Sequence, residues 1–151
     1  MTEETHWESL EEQATHTESE ARMLLPGVQT ILGFQLMAVF NQRFEQFSRE
    51  EQVLHFAAFL LTALTMALMM APAAYHRQAQ RDRVTRRFVD LASRLLMISM
   101  IPFTAGMCLD TYLIGRLIVP GSMLGPVAAG GMLLTLAGLW FVLPFVFGRR
   151  R

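Results

Sequence analysis

The apolar residues of this chain are gathered into four long blocks, and this segregation limits the possible folds more than any other feature. An α-helix rises about 1.5 Å per residue, so about 20 residues cross the ~30 Å hydrocarbon core of a bilayer. The blocks run over about residues 23–42, 53–74, 88–115 and 122–147. Soluble helices keep a polar face, which the second and fourth blocks lack. The sequence therefore predicts an all-α, integral membrane four-helix bundle.

The four blocks differ in polarity. Pro26, Gln29 and Gln35 interrupt the first block, which makes it the weakest of the predicted spans. The third block contains ionisable residues, whereas the fourth has no charged residue. A proline inside a helix cannot donate a hydrogen bond to the preceding turn, so Pro102 predicts a kink in the third span.

An acidic segment precedes the first block and contains seven glutamates before the first arginine, Arg22. Spacings of three and four residues predict a narrow helical seam here, formed by Trp7, Leu10, Ala14, Thr17, Ala21 and Leu24. We expect residues 1–21 to form an acidic tail, folded as a short helix in the cytoplasm or on the membrane surface. Residues 22–148 then form the transmembrane domain, and residues 149–151 a basic C-terminus.

The arginines are distributed unequally between the two sides of the predicted bundle. Three of them, Arg43, Arg49 and Arg116, fall on one side. Nine fall on the other: Arg22, Arg77, Arg81, Arg83, Arg86, Arg87, Arg149, Arg150 and Arg151. Basic residues are in excess on the cytoplasmic side of membrane proteins. The sequence therefore predicts a multi-pass protein of the cell (inner, cytoplasmic) membrane with both termini in the cytoplasm. The start of the chain lacks the pattern of a secretory signal peptide, so we expect the first block to direct insertion.

Composition excludes several classes of function. Equal numbers of acidic and basic residues give a net charge of zero, and therefore no electrostatic reason to expect nucleic acid binding. The single cysteine, Cys108, excludes an internal disulfide. No Ser-His-Asp set, phosphate-binding loop or metal-ligand spacing is present, so we expect neither an enzyme nor a bound metal or cofactor.

Ionisable residues within membrane spans are energetically costly and are therefore candidates for function. Asp90 and Arg94 lie one helical turn apart, a spacing that favours an ion pair. Antiparallel packing would bring Asp110 and His55 to the same level as Asn41, near the outer surface. Such a cluster is either a structural network or an ion or proton site. Two further polar residues of the first span are expected to form hydrogen bonds between helices: Gln29 and Gln35.

Small residues repeat every four positions in two of the spans, and helices in lipid approach closely at such stripes. The second span has Ala63, Ala67 and Ala71. The fourth span has two stripes, which are Gly121, Gly125 and Ala129, and Gly131, Thr135 and Gly138. They are candidate contacts within the bundle or in a homo-oligomer.

Four short motifs, in their order and spacing, resemble a family of small bacterial four-helix membrane proteins. The motifs are Glu20-Ala21-Arg22 with Pro26-Gly27-Val28-Gln29, Ala71-Pro72-Ala73-Ala74-Tyr75-His76-Arg77, Leu91-Ala92-Ser93-Arg94, and Trp140-Phe141-Val142-Leu143-Pro144. The family is abundant in actinobacteria and has no established function. Its members often carry the automatic name sodium/proton antiporter, which would imply monovalent-cation transport through a membrane carboxylate, but the resemblance assigns no site residues.

Three functions remain open from the sequence. The first is a non-catalytic membrane module, whose acidic tail and basic loop contact anionic lipid head groups or a cytoplasmic partner. The basic loop consists of Arg77, Arg81, Arg83, Arg86 and Arg87, and we expect it to pair with the acidic tail, within one subunit or between subunits. The alternative is a small oligomeric transporter or channel for monovalent cations or protons. An envelope stress factor acting on lipid packing is neither supported nor opposed.

Overall fold

The computed structural model of the protein describes residues 9–79 and 85–148, and these residues form an all-α structure. The helices are α1 (Leu10–Ala38), α2 (Arg49–Ala79), α3 (Arg86–Ile118), α4 (Leu124–Ala137) and α5 (Leu143–Gly148). A 3₁₀ turn, Gln42–Gln46, precedes α2. α4 continues without interruption through a π-helical turn, Gly138–Val142, into α5.

Side-chain caps fix where the helices begin. Ser9 and Glu12 form a reciprocal capping box at the start of α1. The same arrangement opens α2, where the Ser48 N–H donates to the Glu51 carboxylate and the Glu51 N–H donates to Ser48 Oγ. The Thr85 hydroxyl accepts a hydrogen bond from a backbone N–H in the first turn of α3. Each cap satisfies backbone donors that have no partner inside the helix.

Successive helices run antiparallel. His55 of α2 lies beside Asp110 of α3 at one end of the pair, and His76 lies beside Phe88 at the other. We call the first end the Asp110 end and the second the Arg77 end. Because α1 and α4 also run antiparallel to their neighbours, the described N-terminal and C-terminal residues both lie toward the Arg77 end.

The contact between α2 and α3 is a seam of small and polar residues. The buried residues of α2 in this seam are His55, Ala58, Thr62, Thr65 and Met69, spaced by three and four. Gly106 of α3 permits the close approach, because a Cβ there would lie 3.2 Å from Thr62 Oγ1 and 3.3 Å from the Ala58 carbonyl oxygen.

The alanine stripe predicted in the second span does not form this contact. Ala67 is exposed, and Ala63 and Ala71 are only partly buried. The close contact between α2 and α3 therefore uses another face of α2, and a role of the alanine stripe in a homo-oligomer stays a prediction. The buried face carries hydroxyls, which are satisfied by their own helix: Thr62 donates to the Ala58 carbonyl and Thr65 to the Leu61 carbonyl.

α3 and α4 approach each other at two glycines. A Cβ on Gly115 would lie 2.6 Å from the Gly125 Cα, and a Cβ on Gly125 would lie 2.8 Å from the Tyr112 carbonyl oxygen. Gly121 has φ 76°, a left-handed conformation that suits the turn before α4 rather than a helical stripe. The second predicted stripe of this span faces open space at Gly131 and Gly138.

The π-helical turn precedes Pro144. A proline has no N–H, and its ring clashes with the carbonyl four residues earlier. Widening the helix by one residue per turn re-pairs the backbone, and the Leu143 N–H donates to the Gly138 carbonyl. The helix therefore passes Pro144 without ending.

The first predicted span differs from the other three in the structure. Among the described residues, three helices are long and apolar enough to cross a membrane: 49–78, 86–118 and 124–146. α1 is outside this set because its polar residues lower its hydropathy. It also continues unbroken across residue 21, so the described part of the acidic tail and the first block are one helix. In its seam, Ala14 is buried against Phe88 and Val89, whereas Leu24 is exposed and Trp7 lies outside the described residues.

The surface of the described bundle is largely apolar. We call the continuous helical stretch of residues 124–146 the fourth segment. None of its most apolar 18-residue stretch is buried within the protein. Leu134 and Val127 are 75% and 69% exposed, and Phe40, just after α1, is 83% exposed. Contiguous exposed apolar surface of this kind marks contact with a membrane or another protein. Together with the length of the helices, it suggests membrane association.

Candidate functional site

Three polar side chains from three helices meet at the Asp110 end. Gln35 of α1 donates from Nε2 to Asp110 Oδ2 at 2.6 Å. His55 of α2 places Nδ1 3.9 Å from Asp110 Oδ1. Gln35 and His55 are both buried, at 5% and 7% exposure. The cluster therefore joins α1, α2 and α3 through a single carboxylate.

The hydrogen bonds of His55 define which ring nitrogen carries a proton. His55 Nε2 lies 2.8 Å from the Gln35 carbonyl oxygen, which can only accept, so Nε2 is the donor. That carbonyl is one of the last four of α1, which lack helical partners. Nδ1 is left to face the Asp110 carboxylate across 3.9 Å.

A groove of about 340 Å³ opens beside the cluster. Gln35, His55 and Asp110 line it together with apolar residues of α1 and α3, including Phe34, Met107 and Ile114. The cluster thus borders a groove at the side of the bundle. Gln35 Oε1 is a buried side-chain oxygen with no hydrogen-bond partner.

An ion pair and two aromatic rings, which the sequence analysis did not identify, flank this cluster. Arg116 Nε of α3 donates to Glu51 Oε1 of α2 at 3.1 Å. The Phe44 ring lies edge-on to His55, with centroids 5.3 Å apart, and also contacts Phe47. The sequence contains a pattern that predicts this ion pair. Glu51 lies almost as many residues before the α2–α3 connection as Arg116 lies after it, so antiparallel packing brings them together, as it does His55 and Asp110.

The structure brings together only part of the predicted polar network. His55 and Asp110 meet as antiparallel packing predicted, and Gln35 joins them. Asn41 does not: its Oδ1 caps the 3₁₀ turn by accepting from the Arg43 N–H. Gln29 is exposed on α1, so no buried contact places it in the network.

The Asp90–Arg94 ion pair predicted from spacing is not formed. Both side chains are exposed, and no ion pair joins them in the part of the chain that the structure describes. An ion pair between two exposed side chains contributes little free energy to folding, so a spacing of four residues is a weak predictor of an ion pair.

A second cavity, of about 270 Å³, lies at the Arg77 end between α1, α2 and α3. Its mouth carries Glu18 and Arg22 of α1, and His76 and Arg77 of α2. Glu18 and Arg22 are 4.0 Å apart. The interior is apolar and includes Leu25, Met69, Phe88 and Leu96.

The described arginines of the predicted basic loop lie at this same end. Arg77 is exposed in the last turn of α2, and Arg86 and Arg87 are exposed at the start of α3. Arg81 and Arg83 lie outside the described residues, as do Arg149, Arg150 and Arg151. The expected pairing of the acidic tail with the basic loop stays a prediction.

These features define a class of protein: an all-α bundle suited to membrane association, with a polar cluster at one end and a cationic cavity mouth at the other. Within residues 9–79 and 85–148, no group of three or more His, Cys, Asp or Glu residues could hold a metal ion.

The sequence profile of the family of unknown function DUF6328 matches residues 3–144, and the chain belongs to that family. No curated protein and no solved structure shows significant similarity to the chain. The match confirms membership of a family of unknown function, whereas the actinobacterial distribution and the antiporter name stay predictions.

Proposed function

We propose that the chain is a non-catalytic, multi-pass membrane module with four spans and both termini in the cytoplasm, whose Arg77 end binds anionic lipid head groups. The observation that carries this proposal is the exposed arginine set at one end of an apolar bundle: Arg22, Arg77, Arg86 and Arg87.

Anionic lipids of the cytoplasmic leaflet attract basic residues that lie next to a membrane span. The apolar exposed faces of α2, α3 and α4 would lie in the hydrocarbon, so the Arg77 end would lie at the head-group level. Arginine also binds phosphate through a planar fork of donors, which makes it well suited to lipid phosphates. In this arrangement α1 also crosses the membrane, with the Gln35 side-chain N–H donating to Asp110 inside the bundle rather than facing lipid.

The lipid preference is tested by the thermal stability of the protein in nanodiscs of phosphatidylcholine, with and without phosphatidylglycerol. We expect phosphatidylglycerol to stabilise the wild type. Charge reversal of Arg77, Arg86 and Arg87 to Glu should abolish that stabilisation, whereas reversal of Arg43 and Arg49 at the Asp110 end should preserve it. Equal stabilisation of all three proteins would contradict the proposal.

A second candidate is an oligomeric transporter or channel for monovalent cations or protons. The Gln35–His55–Asp110 cluster favours it, since a carboxylate and an imidazole face each other beside an accessible groove. The antiporter name given to proteins that this chain resembles points the same way. Proteoliposomes loaded with pH-sensitive dye, under Na⁺, K⁺ or H⁺ gradients, test it. Flux that Asp110→Asn removes and Asp90→Asn leaves intact would establish transport, and absence of flux in the wild type would exclude it.

A further inference from the structure

We infer that the cavity at the Arg77 end is a binding site for one anionic phospholipid, with the head-group phosphate at Arg22 and Arg77 and an acyl segment inside. This inference rests on the proposed function and makes it specific, because it replaces a diffuse attraction by one site between α1, α2 and α3.

The cavity has the two parts that an amphiphile requires. Its interior is formed by apolar side chains from all three helices, including Leu25 of α1, Met69 of α2 and Leu96 of α3. Its mouth carries the charged groups. The apolar interior matches the chemistry of an acyl segment, whereas a free phosphate has nothing to bind beyond the mouth.

The charges of the mouth favour an anion. Arg22 and Arg77 come from different helices, so two guanidinium groups can approach one phosphate from opposite sides. His76 adds a ring that packs against Phe88, with centroids 5.2 Å apart. Arginine–phosphate contacts are frequently bidentate, and they are stronger than hydrogen bonds between neutral groups.

Glu18 is the opposing charge at the mouth. It lies 4.0 Å from Arg22 on the same face of α1, and half of its side chain is exposed. An exposed pair of this kind contributes little to stability, so a phosphate can replace the carboxylate at Arg22. Glu18 should therefore compete with the lipid, and its neutralisation should tighten binding.

The position of the cavity specifies a lipid as its occupant. It lies where the apolar parts of α2 and α3 give way to the charged residues of the Arg77 end. In a bilayer this is the level at which phosphates and the first acyl methylenes lie. A lipid can reach the cavity sideways from the leaflet without leaving the membrane.

The experiment titrates the full chain with phosphatidylglycerol in a neutral detergent, where no anionic bilayer surface is present, and counts bound lipids by native mass spectrometry. We expect one saturable site in the wild type and a much weaker signal with phosphatidylcholine. Arg22→Gln and Arg77→Gln should each weaken binding about fivefold, which corresponds to about 1 kcal/mol for a basic residue facing an anionic head group. Glu18→Gln should tighten binding.

Three controls separate the site from general charge and from phosphate alone. Arg86→Gln with Arg87→Gln removes two arginines from the same end, outside the cavity lining, and should leave the affinity unchanged. Ala21→Phe fills the cavity without altering charge and should abolish the one-to-one complex. Inorganic phosphate should not displace the lipid.

The inference is overturned if the Arg86/Arg87 variant loses as much affinity as Arg22→Gln or Arg77→Gln, or if inorganic phosphate displaces the lipid. It is also overturned if Glu18→Gln weakens binding. Because Glu18 is exposed, this substitution tests the site even if the Ala21→Phe variant does not fold. If the one-to-one complex is absent but phosphatidylglycerol nanodiscs still stabilise the protein, the cavity site is wrong and the proposed function stands. If neither the complex nor the stabilisation is observed, the proposed function is wrong as well.

Discussion

Asp110 of α3 contacts polar side chains of two other helices. Its carboxylate accepts from Gln35 and faces His55, and both partners are buried. A buried amide or imidazole without a partner loses its hydration and gains nothing in return. Asp110 therefore holds α1 against the α2–α3 pair, whether or not it also takes part in transport.

We predict that Asp110→Ala destabilises the protein by about 1–3 kcal/mol, because Gln35 and His55 lose a buried partner. Asp110→Asn should stay within about 0.5 kcal/mol of the wild type, because its oxygen still accepts from Gln35. Unfolding in mixed micelles by added sodium dodecyl sulfate, followed by circular dichroism, measures both. Asp90→Ala, at an exposed position of the same helix, is the control. If Asp110→Asn were as unstable as Asp110→Ala, the negative charge itself would be essential.

A second residue-scale prediction concerns Glu51, which completes the cap of α2 and accepts from Arg116 of α3. A double-mutant cycle with Glu51→Gln and Arg116→Ala should give a coupling energy of about 0.5–1 kcal/mol, since the pair is only partly buried. The same cycle with Arg43→Ala in place of Arg116→Ala should give none. The cycles are read from the same unfolding measurement, and a zero coupling for Glu51 and Arg116 would mean that the ion pair contributes nothing.

At the scale of the helices, close approach depends on where a Cβ is absent. Gly106 faces α2 through Ala58 and Thr62, and Gly115 faces α4 through Gly125. In lipid, apolar residues gain little by leaving the bilayer for a protein interface, so close backbone packing is a larger share of the association energy. The fourth segment illustrates this, because Gly125 is buried against α3 whereas Val127 and Leu134 remain exposed.

We predict that Gly115→Ala destabilises the α3–α4 contact by about 1–3 kcal/mol, because the new Cβ would overlap the Gly125 backbone and force the helices apart. Gly131→Ala is the matched control, since no atom lies within 4 Å of the added Cβ. It should be neutral or stabilising by up to about 1 kcal/mol through helix propensity. Reversed effects of the two substitutions would show that the glycine contact is not formed.

At the scale of the whole molecule, the antiparallel order of the helices fixes which segments share an end. The 3₁₀ turn lies at the Asp110 end, and the end of α2 lies at the Arg77 end. If all four helical segments cross the membrane, Ser9 and Gln78 lie on the same side and Glu45 lies on the other. The arginine asymmetry predicts that the shared side is the cytoplasm.

We predict this topology for single cysteines placed at Ser9, Gln78 and Glu45 in a Cys108→Ser background. In intact cells, a membrane-impermeant maleimide should label only Glu45→Cys. After permeabilisation it should label all three. Labelling of Ser9→Cys on the same side as Glu45→Cys would show that α1 does not cross the membrane. Labelling of Ser9→Cys and Gln78→Cys, but not of Glu45→Cys, in intact cells would reverse the orientation.

The sequence by itself determined the helical class, the approximate extent of α2, α3 and the fourth segment, and the unequal distribution of arginines. These follow from local properties: the length of apolar blocks, capping residues and charge. The sequence also predicted that His55 and Asp110 would meet, since antiparallel neighbours joined by a short connection place equidistant residues side by side.

Only the tertiary structure decided which faces of the helices touch. The small-residue pattern indicated Ala63, Ala67 and Ala71, whereas the contact uses Ala58, Thr62 and other residues of the α2 seam. The sequence predicted a hydrogen bond between helices for Gln35 and placed Asn41 level with Asp110, and the structure decided that Gln35 is the residue that reaches Asp110. The physical reason is that a helix apolar on all sides has no hydrophobic face to set its rotation. Rotation is then fixed by a few close contacts and buried hydrogen bonds between distant residues, and local sequence does not encode those.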